Sequence, residues 1–158
     1  MRTKIFATDT NDFTTLILRV TLAVVIFPHG LQKLLGAFGG YGFEGTMSYF
    51  TDTVGLPWIL GFIVIIIESF GMLLLAVGLF TRPISLILAV IMLGAASMHL
   101  QNGFFMNWFN NQPAEGVEFF ILTIALSLNG LIKGAGKYSV DATFLRRNNA
   151  PNTFAPNT

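Results

Sequence analysis

Four stretches of the chain stay apolar for about as long as a bilayer is thick, and polar residues collect between them. The first runs from about Thr14 to Leu35. The second follows Gly55-Leu56-Pro57 and reaches about Phe80. The third covers about Ile84 to Phe105, and the fourth about Val117 to Ile132. A helix rises 1.5 Å per residue against a hydrocarbon core of about 30 Å, so roughly 20 residues cross it. The pattern therefore predicts an all-α polytopic membrane protein, with four transmembrane helices in an antiparallel bundle. The turn Thr81-Arg82-Pro83 is too short to join spans two and three other than as antiparallel neighbours. Pro28 removes a backbone hydrogen bond inside span one and predicts a kink. Gly36 to Gly42 then breaks the helix. Glu44 to Thr53 is amphipathic and reads as a short interfacial piece carrying Tyr49 and Phe50.

Composition agrees with this reading. The chain of 158 residues is 53% hydrophobic and 11% charged, against about 25% charged in soluble domains. A net charge of +1 gives no reason to expect a nucleic-acid partner. The absence of cysteine excludes disulfides, iron–sulfur ligation, cysteine-based zinc sites and thiol–disulfide exchange.

Residues 1–13 are polar, with Arg2 and Lys4, and no small-x-small cleavage site follows the first apolar run. They read as a cytoplasmic N-terminal segment rather than a signal peptide. Residues 14–141 form the membrane domain and 142–158 a flexible cytoplasmic tail, whose end from Asn148 has a disordered composition. Lysine and arginine orient the whole. Arg2, Lys4, Arg82, Lys133, Lys137, Arg146 and Arg147 fall on one side, whereas the loops 36–56 and 106–116 have none and carry Glu44, Asp52 and Glu115. Both termini are expected in the cytoplasm.

Ionisable groups inside the spans are costly, so they mark candidate sites. Arg19, His29 and Lys33 lie in span one, Glu68 in span two, His99 in span three and Glu118 at the start of span four. His29 and Lys33, four apart, share a helix face. Glu68, about eleven residues from the outer end of its span, lies about 16 Å deep. Its candidate partners are Arg19 and His29. Small or polar faces (Glu68, Gly71 and Gly78; Ala96, His99 and Gly103; Glu118, Ala125 and Asn129) are expected to converge. Plainer roles stay open beside the functional one. Arg19 and Lys33 can snorkel to the interfaces, His29 can bond a carbonyl freed by Pro28, and Glu118 can cap the fourth helix. No H-x-x-x-H or E-x-x-H pair shares a helix, so no metal is expected. A haem between His29 and His99 is compatible with depth alone.

An ordered set of short motifs runs through the chain: Arg19; His29-Gly30 with Lys33-Leu34; Gly55-Leu56-Pro57; Glu68 with Gly71; Gly78-Leu79 before Thr81-Arg82; Met92 and Ala95; His99 with Asn102-Gly103-Phe104-Phe105; Gly116 with Glu118; and a closing G-x-G-x-x-S-x-D over Gly134 to Asp141. In this set the chain resembles the DoxX family from about Phe13 to Asp141. Ser69-Phe70 departs from the family's tendency to a second glycine before Gly71. The resemblance implies a four-helix, multi-pass protein of the bacterial inner membrane. Its relatives include the membrane subunit of an archaeal thiosulfate:quinone oxidoreductase and membrane partners of redox and sulfur-handling enzymes.

Two functions are open at this stage. One is a quinone-linked redox or sulfur-oxidation subunit. Phe27, Phe70, Phe104 and Phe105 would form an apolar slot, and His29 and His99 would bond the quinone carbonyls. Glu68 would relay protons, and Arg19 or Lys33 would favour an anionic intermediate. With no motif for a soluble redox cofactor, electrons would come from a soluble redox or sulfur-handling partner. The other is a non-catalytic anchor or small-metabolite carrier. Four spans without an internal repeat make alternating access an unlikely choice for a monomer, and a homo-oligomer would restore it.

Overall fold

The computed structural model describes residues 8–148, and helices are its only regular secondary structure. Helix α1 spans Phe13–Leu35 and α2 Gly42–Ser48. Helix α3 spans Trp58–Val77, α4 Thr81–His99, α5 Glu118–Lys133 and α6 Val140–Asn148. The stretches Phe13–Leu35, Trp58–Val77 and Thr81–Asn102 are each long and apolar enough to cross a membrane. Helix α5 is shorter, 16 residues, or about 24 Å. The flexible tail expected from residue 142 starts inside α6, and its part beyond 148 lies outside the described residues, as does the segment 1–7.

Each boundary has a local cause. Asp12 caps α1, its Oδ1 accepting the Thr15 amide at 3.0 Å and its Oδ2 the Thr15 hydroxyl at 2.8 Å. This satisfies an orphan donor of the first turn, and the two bonds, the amide's first, hold the Asp12 carboxyl below its ordinary value. Helix α3 stops at Gly78, whose φ of 71° is left-handed, so the span ends three residues before the expected Phe80. Helix α4 begins at Thr81, because Pro83 falls in the first turn, where a missing N–H costs nothing. Its N-terminal amides are capped from afar: the Asp141 carboxylate accepts Phe80 N at 2.9 Å and Thr81 N at 3.0 Å. Helix α4 ends at His99, one 3₁₀ turn before Gly103, so Phe104 and Phe105 belong to the following hairpin.

Helix α1 packs along α3 and against α5, and α4 packs along α5 and touches α3, which closes a ring of four helices. The shared core is Leu22, Ala23, Ile26, Met72, Leu75, Ile84, Leu88 and Met92. Lipid tails are as apolar as these side chains, so close packing and interhelical polar ties must hold the ring. Two glycines set the closest approaches. A Cβ at Gly30 would strike the backbone of Glu68 and lie 2.6 Å from Ser69 N, so α1 and α3 touch main chain to main chain. A Cβ at Gly130 would collide with Ser85 Oγ, which seats α5 on α4. The buried stripe of α5 is thus Thr123, Ser127 and Gly130. The expected stripe Glu118, Ala125 and Asn129 is not the packed one, and Ala125 is exposed. On α4 the buried stripe is Ser85, Leu88, Ala89 and Met92 in place of Ala96, His99 and Gly103.

The ring has two ends. At the hairpin end lie residues 36–57 and the hairpin 103–117. At the closing end lie the turn 78–80 and residues 134–139.

Candidate functional site

The six candidate residues do not form one cluster. They divide into a tie at the closing end, an ion pair in the ring, and two histidines with a hairpin staple near the hairpin end.

Arg19 belongs to the tie. It is buried, 3% exposed, and its guanidinium is spent on carbonyls. Nε donates to Ala135 O at 2.8 Å, Nη1 to Leu75 O at 3.2 Å and to Ala76 O, and Nη2 to Lys137 O at 3.3 Å and Tyr138 O at 2.8 Å. The planar fork thereby joins the C-terminal turn of α3, whose last carbonyls lack helical partners, to the closing segment. The same segment is tied elsewhere: Lys137 N donates to Asp12 O at 2.9 Å, Gly136 N to Thr8 Oγ1 at 2.6 Å, and Asp141 N to Gly78 O at 3.0 Å. Arg19 is therefore neither a snorkelling side chain nor the partner of Glu68.

Lys33 holds that place. Its Nζ donates to Glu68 Oε2 at 2.5 Å, with the Lys33 side chain 27% and the Glu68 side chain 5% exposed. Glu68 lies about ten residues into α3, about 15 Å from its start. A π-helical turn, Ile67–Gly71, carries it. Such turns are rare and frequently mark functional positions. Beside it, Ser69 is buried and its hydroxyl has no hydrogen-bond partner among the described residues. In a regular helix that hydroxyl would reach the carbonyl four residues back. Below the pair, the apolar core seals the ring towards Arg19.

The histidines stand on neighbouring rings of α5. His29 lies 5.9 Å from Phe119 and His99 lies 4.9 Å from Phe120, centroid to centroid, and Phe119 and Phe120 meet edge to face at 5.8 Å. Successive helical residues point about 100° apart, which turns one ring to α1 and the other to α4. His29 is exposed and has no hydrogen-bond partner among the described residues, so it does not bond a carbonyl freed by Pro28. Helix α1 continues through Pro28 to Leu35. His99 Nδ1 donates to Glu115 O at 2.8 Å, which leaves Nε2 as the acceptor of the neutral ring.

Glu118 is a hairpin staple rather than the cap of its own helix. Its Oε1 accepts Met106 N at 2.8 Å, while the amide of Glu118 bonds Phe104 O at 2.9 Å. The expected phenylalanine slot is open: Phe27 packs against the core, whereas Phe70, Phe104 and Phe105 are exposed. The rings that do meet the candidate histidines, Phe119 and Phe120, directly follow Glu118 and carry no other signal in the sequence. The π turn had no signal in the sequence.

This order of elements can be set beside known proteins. Residues 14–111 match the DoxX family, from the first turn of α1 into the hairpin after α4. The chain belongs to the DoxX family. It is a multi-pass membrane protein in contact with the bilayer. A stretch of 81 residues is 36% identical to the Bacillus subtilis (strain 168) protein named "Putative oxidoreductase CatD", and takes in 51% of this chain and 55% of that one. The chain thus spans about half the length of the curated relative it matches. No solved structure matches it.

Proposed function

We propose that this DoxX-family protein is the membrane subunit of a quinone-linked redox system, with a working centre built from Lys33, Glu68 and His29. The Lys33–Glu68 ion pair, held inside apolar helices on a π turn, carries the reading. A buried pair rarely adds net stability over apolar side chains of the same size, so its presence at this depth calls for a use. The Glu68 carboxylate can take up and release a proton, with Lys33 stabilising the anion that remains. His29, unpartnered and resting on Phe119, supplies a hydrogen bond and an aromatic wall to a planar carbonyl ring. The relative's printed name as an oxidoreductase points the same way. The sequence has no motif for a soluble redox cofactor, so a soluble redox or sulfur-handling partner delivers the electrons.

In this reading α5 is the fourth span, the helices alternate in direction and both termini face the cytoplasm, in the inner membrane of a bacterium. The arginine and lysine asymmetry supports that orientation. A homo-oligomer is compatible with the exposed apolar helix faces.

Purified protein titrated with a short-tailed ubiquinone or menaquinone tests the reading. Saturable binding that falls on changing His29 to alanine, or on changing Lys33 and Glu68 together to methionine, supports it, and absence of saturable binding ends it. The competing anchor reading draws on Arg19 and Glu118, both of which serve the fold. It expects Glu68→Ala and His99→Ala to leave the assembled system active.

A further inference from the structure

The end of α1 that carries Lys33 has a cover. Residues 37–56 fold back over the hairpin end of α1 and α3, with α2 at their centre. Two seats hold this segment. Gly40 rests on Gln32, one residue from Lys33, so closely that a Cβ there would lie 2.6 Å from Gln32 Cα. Met47 and Phe50 wedge against Gly61 of α3, at 3.3 Å from Sδ and 3.2 Å from Cβ to the place of a Gly61 Cβ. Gly61 lies two turns nearer the helix start than Glu68.

The way the segment is held separates it from the rest of the fold. The hydroxyls of Ser48 and Thr51 bond within the segment, to Asp52 Oδ2 at 2.7 Å and to Met47 O at 3.0 Å. The turn after α2 closes on itself through Leu56 N to Phe50 O at 2.8 Å. Among the described residues, no hydrogen bond or ion pair runs from α2 or this turn to α1 or α3. The closing segment at the other end is tied by many. Both ends of the cover are glycine joints with left-handed backbone, φ 72° at Gly36, 68° at Gly42 and 74° at Gly55. Segments held by a few side-chain contacts open at the lowest free energies.

We infer that residues 37–56 are a lid that swings on Gly36 and Gly55 and controls access to the Lys33–Glu68 pair. Closed, Met47 and Phe50 sit on Gly61. Open, the pair meets the phase at the hairpin end. Regulation of the proposed centre by a lid rests on reading that pair as a site, but the lid itself is read out by acetylation and not by quinone binding.

Phe50→Cys with Gly61→Cys gives a lockable lid. Their Cβ atoms would start 3.2 Å apart, a few tenths of an ångström short of the usual disulfide range of about 3.5–4.5 Å. The chain supplies no other thiol. Lys33 acetylation by an N-hydroxysuccinimide acetate is followed by mass spectrometry in detergent, with Lys133 and Lys137 as references. Oxidation is expected to slow Lys33 about tenfold and leave the references unchanged. Equal rates in the oxidised and reduced forms overturn the lid. Met47→Ala, which removes one wedge, is expected to speed Lys33 acetylation in protein that elutes as the folded parent does, and an unchanged rate overturns the lid as well. Quinone binding lost with lid protection intact refutes the functional reading alone. Equal acetylation rates with quinone binding intact refute the lid alone.

Discussion

Arg19 and Glu68 are both charged groups inside apolar helices, and what they touch separates their roles. Arg19 faces five backbone carbonyls and cannot be replaced by a group of other shape. Arg19→Ala leaves those carbonyls without donors, and Arg19→Lys offers a point charge where a planar fork is needed. Each buried acceptor left unsatisfied costs about 1–3 kcal/mol. Both variants should lose most of their folded yield, measured by size-exclusion chromatography in detergent, and the alanine variant should lose more. Gly130→Ala is a second test at this scale. The added methyl meets Ser85 Oγ, and overpacking of this kind costs about 1–3 kcal/mol. Ser85→Ala alone should be tolerated, since its hydroxyl has no hydrogen-bond partner among the described residues. In combination it should return part of the loss, and thermal melts of the three variants give the coupling.

At the scale of the element, the start of α1 responds to pH. Asp12 is held below its ordinary carboxyl value by the Thr15 amide and hydroxyl. Its contribution is complete above the unfolded carboxylate pKa of about 4 and is lost as pH falls through the lower folded value. Asn caps almost as well as Asp and does not titrate. Asp12→Asn should therefore keep neutral stability and flatten the acid side of a plot of melting temperature against pH. Much of the element layout was legible in the chain. The apolar runs, Pro57, the glycine break after Leu35 and the shortness of the turn before α4 each have a direct physical meaning. Pro83 was misleading, because a proline reads as a break although a first turn accepts it. The π turn at Ile67–Gly71 was illegible: it lies where α3 meets Gly30 of α1, and no local propensity announces that contact.

For the whole molecule, position along each helix was legible and direction around it was not. Position follows from counting residues. Direction depends on which neighbour a helix meets, so Lys33 was paired with the interface and Glu68 with Arg19 or His29. The closing motif was recognisable as residues but not as the tie on Arg19, because the partners stand 116 to 119 positions apart in sequence. Orientation belongs to this scale too. A single cysteine placed at Asn111, in a chain with none of its own, should be labelled in intact cells by an impermeant maleimide. One placed at Asn11 should be labelled only after permeabilisation. Labelling of both from outside would contradict the assigned topology.

The central claim is that the Lys33–Glu68 pair works rather than merely packs, and replacing both partners together tests it most directly. Removing one leaves a buried charge and confuses fold with function, whereas exchanging both for apolar side chains of similar size is often neutral or stabilising. Lys33→Met with Glu68→Met should therefore fold with an unchanged or higher melting temperature and lose saturable quinone binding in the purified protein. A double variant that folds and binds quinone as tightly as the parent would contradict the account.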